Sequence, residues 1–84
     1  MSQEDIRGII IELQGKPIAA DLIRARLRAR GIKMNEKSFY AALKKVEKDD
    51  DIITEQKVYR RFINGRTIKF IKRVWRYEPN NSET

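Results

Sequence analysis

Cysteine and histidine are both absent from this chain. Without cysteine no disulfide can staple the fold, and without either residue no zinc finger or ribbon can nucleate it, so ordinary packing must hold it together. Catalysis is short of candidates for the same reason. Histidine, the side chain that moves protons near neutral pH, is missing, no serine has an adjacent base, and the four glycines stand singly without phosphate-loop spacing. No enzyme is expected, and no metal, cofactor or small-molecule ligand. No stretch approaches the ~20 apolar residues of a membrane-crossing helix. The amino terminus MSQEDIRG is acidic and polar where a secretory signal would be basic and then apolar. A soluble intracellular protein, cytoplasmic or nucleoid-associated, is the expectation. Acids are missing from one long segment as well: none lies between Glu55 and Glu78.

What is present is a chain of 84 residues, 40% hydrophobic and 37% charged, with the apolar positions spaced rather than massed. That combination suits one small folded domain with a highly charged surface. The formal charge of +7 is uneven: residues 57–78 carry +7 and residues 16–33 carry +5, while residues 1–15 and 34–56 carry −2 each. Two separate basic segments point to a polyanionic partner.

The apolar positions Ile6, Ile9, Ile10 and Leu13 follow Ser2 and Asp5 at helical spacing and stop at Gly15, which predicts a capped first helix. Lys16-Pro17-Ile18 is too short for a helix and reads as a turn with a two- or three-residue strand. From Ala20 to Arg30 the arginines alternate with apolar residues as in a strand. Good helix formers, few β-branched residues and Gly31 at a C-cap position favour a second helix, with Ile23 and Leu27 on one face. Asn35 then caps a third helix, about residues 35–48, with Phe39, Ala42, Leu43 and Val46 at helical spacing. Asp49, Asp50 and Asp51 oppose the negative end of its dipole and should form a loop. Beyond them, β-branched and aromatic residues flank Asn64-Gly65, the strongest two-residue hairpin signal. The domain is expected to span residues 1–78, with a polar disordered tail over 79–84.

The segment MNEKSFYAALKKVEKDDDIIT resembles the recognition helix and following strand of winged helix-turn-helix transcription regulators, and the element order extends the resemblance over residues 3–77. The Ser or Thr cap usual in that family is Asn35 here, its aromatic and leucine are Tyr40 and Leu43, and its acidic, glycine-terminated exit is replaced by Val46-Glu47-Lys48-Asp49. Without that glycine, Asp50 or Asp51 is expected to take a left-handed conformation. The resemblance implies an α+β winged helix-turn-helix fold: three helices, a short first strand and a C-terminal β-hairpin wing over about residues 52–77. It further implies a sequence-specific or semi-specific double-stranded DNA-binding protein of the transcription-regulator type. The third helix would enter the major groove, and the wing would lie on the backbone or in the minor groove.

Residue chemistry supports the same assignment. With Phe39, Leu43 and Val46 inward, the third helix shows Lys37, Ser38, Tyr40, Ala41, Lys44, Lys45 and Lys48 outward, a small residue for close approach among hydrogen-bonding and cationic ones. At the wing, Arg60, Arg61, Asn64, Arg66 and Lys69 cluster around the turn as phosphate or minor-groove contacts. Helical geometry splits the arginines of the second helix: Arg24 and Arg28 form one pair, a candidate backbone contact, and Arg26 and Arg30 the other. One pair would cross the backbone while the other pairs with Asp21, an acidic loop or a second subunit, with a solvated face as the alternative. Pairing the hairpin about Asn64-Gly65 puts Tyr59, Ile63, Ile68, Phe70 and Val74 on one face and Val58, Phe62, Ile71, Trp75 and Tyr77 on the other. Two apolar faces call for either a β-bulge that switches them or a homodimer interface, for which Ile11, Trp75 and Tyr77 are the candidates. The competing functions are a winged-helix module for protein contacts and an architectural, replication or partition protein acting on DNA or RNA.

Overall fold

Ile6, Ile9 and Ile10 recur three and four residues apart, the spacing that gathers side chains on one side of a helix, and helix α1 (Ser2–Glu12) buries all three completely. A computed structural model describes residues 2–79 of the chain. After α1 come strand β1 (Ile18–Ala19), helices α2 (Ala20–Ala29) and α3 (Glu36–Val46), and strands β2 (Ile52–Ile63) and β3 (Arg66–Tyr77). The fold is α+β, three helices with a three-stranded antiparallel sheet of order β1-β3-β2. Ser2 lies inside α1, not ahead of it as a cap. Residues 80–84 of the expected tail lie outside the described residues. No helix among those described is long and apolar enough to cross a membrane.

The helix ends follow from local chemistry. At the end of α2, Gly31 has φ 80°, and the Gly31 and Ile32 amides donate to the carbonyls of Arg28 and Leu27 at 2.9 and 3.0 Å. This doubly bonded exit needs a left-handed residue just past the helix, which glycine supplies without a Cβ clash. The end of α3 is different. Glu47 stays right-handed, and the Lys48 and Asp49 amides donate to Lys45 and Val46 carbonyls in successive tight turns. Asp50 and Asp51 therefore keep negative φ, correcting the expectation of a left-handed aspartate: among the described residues, only Gln14 and Asn64 have positive φ without being glycine.

Asn64 and Gly65 have φ 52° and 75°, the pair of left-handed residues that a type I′ hairpin turn requires. From that turn the β2–β3 register runs unbroken from Ile63↔Arg66 to Ile52↔Tyr77. No bulge interrupts it, so the faces never switch. Only the root of the hairpin is packed: Ile52 and Trp75, with Ile18 of β1 paired to Trp75, join the isoleucines of α1 and Ile23, Leu27, Phe39, Leu43 and Val46 in one core. Twelve-residue strands reach about 40 Å, whereas helices of ten or eleven residues reach about 16 Å. The outer hairpin therefore projects into solvent, and the radius of gyration, 14.6 Å, exceeds the ~12 Å of a typical domain this size.

The three aspartates after α3 are held from a distance. Arg7 on α1 binds Asp51 through two hydrogen bonds of 2.7 and 2.6 Å and Asp49 through one of 3.0 Å. The guanidinium hydrogen bonds lower the Asp51 pKa below the ordinary carboxylate value. A carboxylate whose folded pKa is depressed adds stability that is complete above its unfolded pKa, ~3.9, and is lost as pH falls through the folded value. Arg7→Met keeps the apolar stem and removes the charge. The side chains are 23–39% exposed, so solvent screening limits the loss to about 1 kcal/mol at pH 7, a Tm drop of about 4–8 °C. Thermal melts by circular dichroism should show the gap between the two proteins closing below pH 4. Parallel curves from pH 7 to pH 2.5 would mean that ionisation of these aspartates contributes nothing to the difference.

Candidate nucleic-acid interface

Helix α3 is set by its two ends and one face. The Asn35 side chain accepts a 2.7 Å hydrogen bond from the Ser38 amide, satisfying a donor that the first turn leaves orphaned. Phe39, Leu43 and Val46 are buried, which fixes the rotation of the helix and turns Lys37, Ser38, Tyr40, Ala41, Lys44 and Lys45 to solvent, with Lys48 exposed just beyond its end. Tyr40 is held against the edge of the Phe39 ring, with centroids 5.0 Å apart. All seven residues expected on the outer face are thus exposed.

The hairpin residues fall into two electrostatic classes. At the root, Arg76 is engaged by Glu55 at 3.2 Å and by Glu78 at 2.6 Å, and these hydrogen bonds raise its pKa. Lys72 lies 3.7 Å from Asp21. The remaining cations of the hairpin, Lys57, Arg60, Arg61, Arg66, Lys69 and Arg73, are exposed and have no acidic partner among the described residues. Arg61 rests over the Phe70 ring at 5.7 Å. Register brings Arg60 directly opposite Lys69, a like-charge pair that weakens the isolated hairpin and favours a polyanion across it.

Between the two elements runs an open groove of about 540 Å³, bordered by Tyr40, Leu43 and Lys44 of α3, Glu47 at its C-cap, the start of α2, and Lys72, Arg73 and Trp75 of β3. Its two carboxylates are engaged: Glu47 accepts from the Trp75 indole at 2.9 Å, and Asp21 faces Lys72. The exposed cations Lys44 and Arg73 thus flank one groove, and the acids beside them are partly compensated.

The arginines of α2 separate as helical geometry requires. Arg24 is half-buried, its guanidinium 5.6 Å from the centre of the Phe39 ring, so it braces α2 against α3. Arg28 is exposed. Arg30 pairs with Glu12 of α1. Neither arginine pair reaches the acidic loop, which Arg7 binds, or Asp21, which faces Lys72. The role of Arg7 had one sequence signal, a run of three aspartates just past the end of α3.

Trp75 requires a correction. It is 3% exposed and its indole is hydrogen-bonded within the chain, so it belongs to the core and offers no surface patch. Tyr77 is half-buried against the same core. Ile11 is half-exposed beside Gly15, Tyr77 and Pro79. Of the three residues expected at a dimer interface, only Ile11 and Tyr77 keep any exposed surface. Among the described residues no group of acids is arranged to hold a metal ion.

Compared with protein-family models, with curated proteins and with solved structures, the chain has no significant match.

Proposed function

We propose that this protein is a winged-helix module that binds double-stranded DNA, with α3 in the major groove and the β2–β3 wing on the backbone or in the minor groove, as a transcription regulator would. The observation that carries this reading is the shared groove: Tyr40 and Lys44 of α3 and Lys72 and Arg73 of the hairpin border one concave surface. The element order and the β1-β3-β2 sheet support the winged-helix assignment. Lysines suit phosphates, while Ser38 and Tyr40 beside Ala41 suit base edges that the helix can approach closely.

Fluorescence anisotropy tests it with mixed-sequence duplex DNA, duplex RNA as competitor, and a site selected from random duplexes. Tight, salt-dependent binding in preference to RNA is expected. Tyr40→Ala with Lys44→Ala should cost the selected site about tenfold more than random duplex, since each base contact is worth about 1–3 kcal/mol. Equal loss on both would remove α3 from base reading. A second reading, a module for protein contacts, is favoured by the apolar side chains exposed on the outer wing. Failure to bind any duplex at 50 mM salt would leave that one standing.

A further inference from the structure

The two faces of the outer wing differ in how their apolar groups are covered. On one, the Tyr59 and Phe70 rings stack at 5.9 Å, with Arg61 over Phe70 and Lys72 over both rings. That face is partly closed by its own side chains. On the other, Val58 stands opposite Ile71, Arg60 opposite Lys69, and Phe62 opposite Thr67. Val58, Ile71 and Phe62 are 58%, 63% and 74% exposed, and Phe62, two residues from the turn, is the most exposed large apolar side chain described.

Phe62 is not there for the core. It lies eight residues along β2 from Thr54, the register partner of the buried Trp75, about 27 Å at strand rise. Every charged residue between Glu55 and Glu78 is a cation. A second copy of this chain seated on that face would bring the same cations against one another, so charge argues for a polyanion instead. The polyanion must also accept an aromatic ring. Duplex DNA does both, because a base-pair step can be opened to admit an apolar side chain while phosphates on either side meet cations.

We infer that Phe62 is an intercalating wedge: the wing tip inserts it into the base stack of bound duplex, with Arg60 and Lys69 on the flanking phosphates, and so unwinds and bends the DNA. This rests on the proposed duplex binding and specifies its mode. It makes the wing a shape-changing element in addition to an electrostatic one.

Ligation of nicked plasmid in the presence of the protein, followed by deproteinisation, tests it without knowledge of a preferred sequence. Wild type and Phe62→Leu should change the linking number in proportion to protein bound. Phe62→Ala should lose more than half of that change while its duplex affinity falls less than about threefold, and its melting temperature should match wild type because the residue is exposed. Wild-type binding with no linking-number change, or an undiminished change in Phe62→Ala, overturns the wedge and leaves duplex binding intact. No duplex binding at 50 mM salt overturns both. Loss by Phe62→Ala of binding to vesicles containing anionic phospholipid, with the plasmid result unaltered, would make Phe62 a membrane wedge and also overturn the inference.

Discussion

Replacing Arg60, Arg61, Arg66 and Lys69 together by glutamine is expected to lower affinity for any duplex by about a thousandfold at 0.1 M salt and to reduce the slope of log affinity against log salt by about four units. Each cation that neutralises a phosphate releases condensed counterions and adds ~0.9 to that slope, so four contacts at 0.1 M salt amount to between three and four orders of magnitude. The four side chains are exposed near one turn, on a hairpin whose core lies only at its root. The quadruple change should therefore leave the fold standing. Loss of the Arg61 contact with Phe70 trims only a surface cation–π interaction, about 0.5–1 kcal/mol. Selected and random duplexes should lose equally, in contrast to the Tyr40 and Lys44 pair. A salt slope unchanged from wild type would take the wing out of the interface.

These expectations rest on features that were unequally legible in the chain. Asn64-Gly65, Gly31 and Asn35 each impose a local geometry that few other residues satisfy, so the turn, the exit of α2 and the start of α3 could be read directly. The outward face of α3 followed from the periodicity of Phe39, Leu43 and Val46. The hairpin was harder, because Val58, Phe62, Ile71 and Trp75 share one face and pattern alone treats them alike. What separates them is length: the strands outlast the helices, so Trp75 at the root is buried while Phe62 near the tip is not. Strand length relative to the layer it covers is a tertiary quantity, and two apolar faces suggested a bulge or a dimer instead. Pairings such as Arg7 with Asp49 and Asp51, more than forty residues apart, depend on how α1 lies against the end of α3. The exit of α3 is not legible in the same way, because successive tight turns take the place of the single left-handed residue that a glycine would supply.

Trp75→Ala is expected to cost about 3–5 kcal/mol and to leave a large fraction of the protein unfolded at 37 °C, since a domain of 84 residues has roughly 4–13 kcal/mol in total. Trp75 lies on the central strand, paired to Ile18 on one side and Thr54 on the other. Its indole donates to Glu47 at the end of α3, so one side chain joins all three strands to the helix that carries the lysine face. Trp75→Phe separates packing from polarity. The smaller ring stays buried, the half-exposed Glu47 regains water, and the loss should be about 1 kcal/mol. The expected order of melting temperatures is wild type, then Trp75→Phe, then far below it Trp75→Ala. The cations of α3 and the wing are untouched in Trp75→Phe, so its salt slope on duplex DNA should match wild type even if affinity falls slightly through a looser angle between the two elements. Circular dichroism melts follow all three proteins. The protein has one tryptophan, so in wild type the red shift of its emission reports opening of the joint between wing and helices directly. A Trp75→Ala protein melting at the wild-type temperature would put this residue outside the core and return it to the surface.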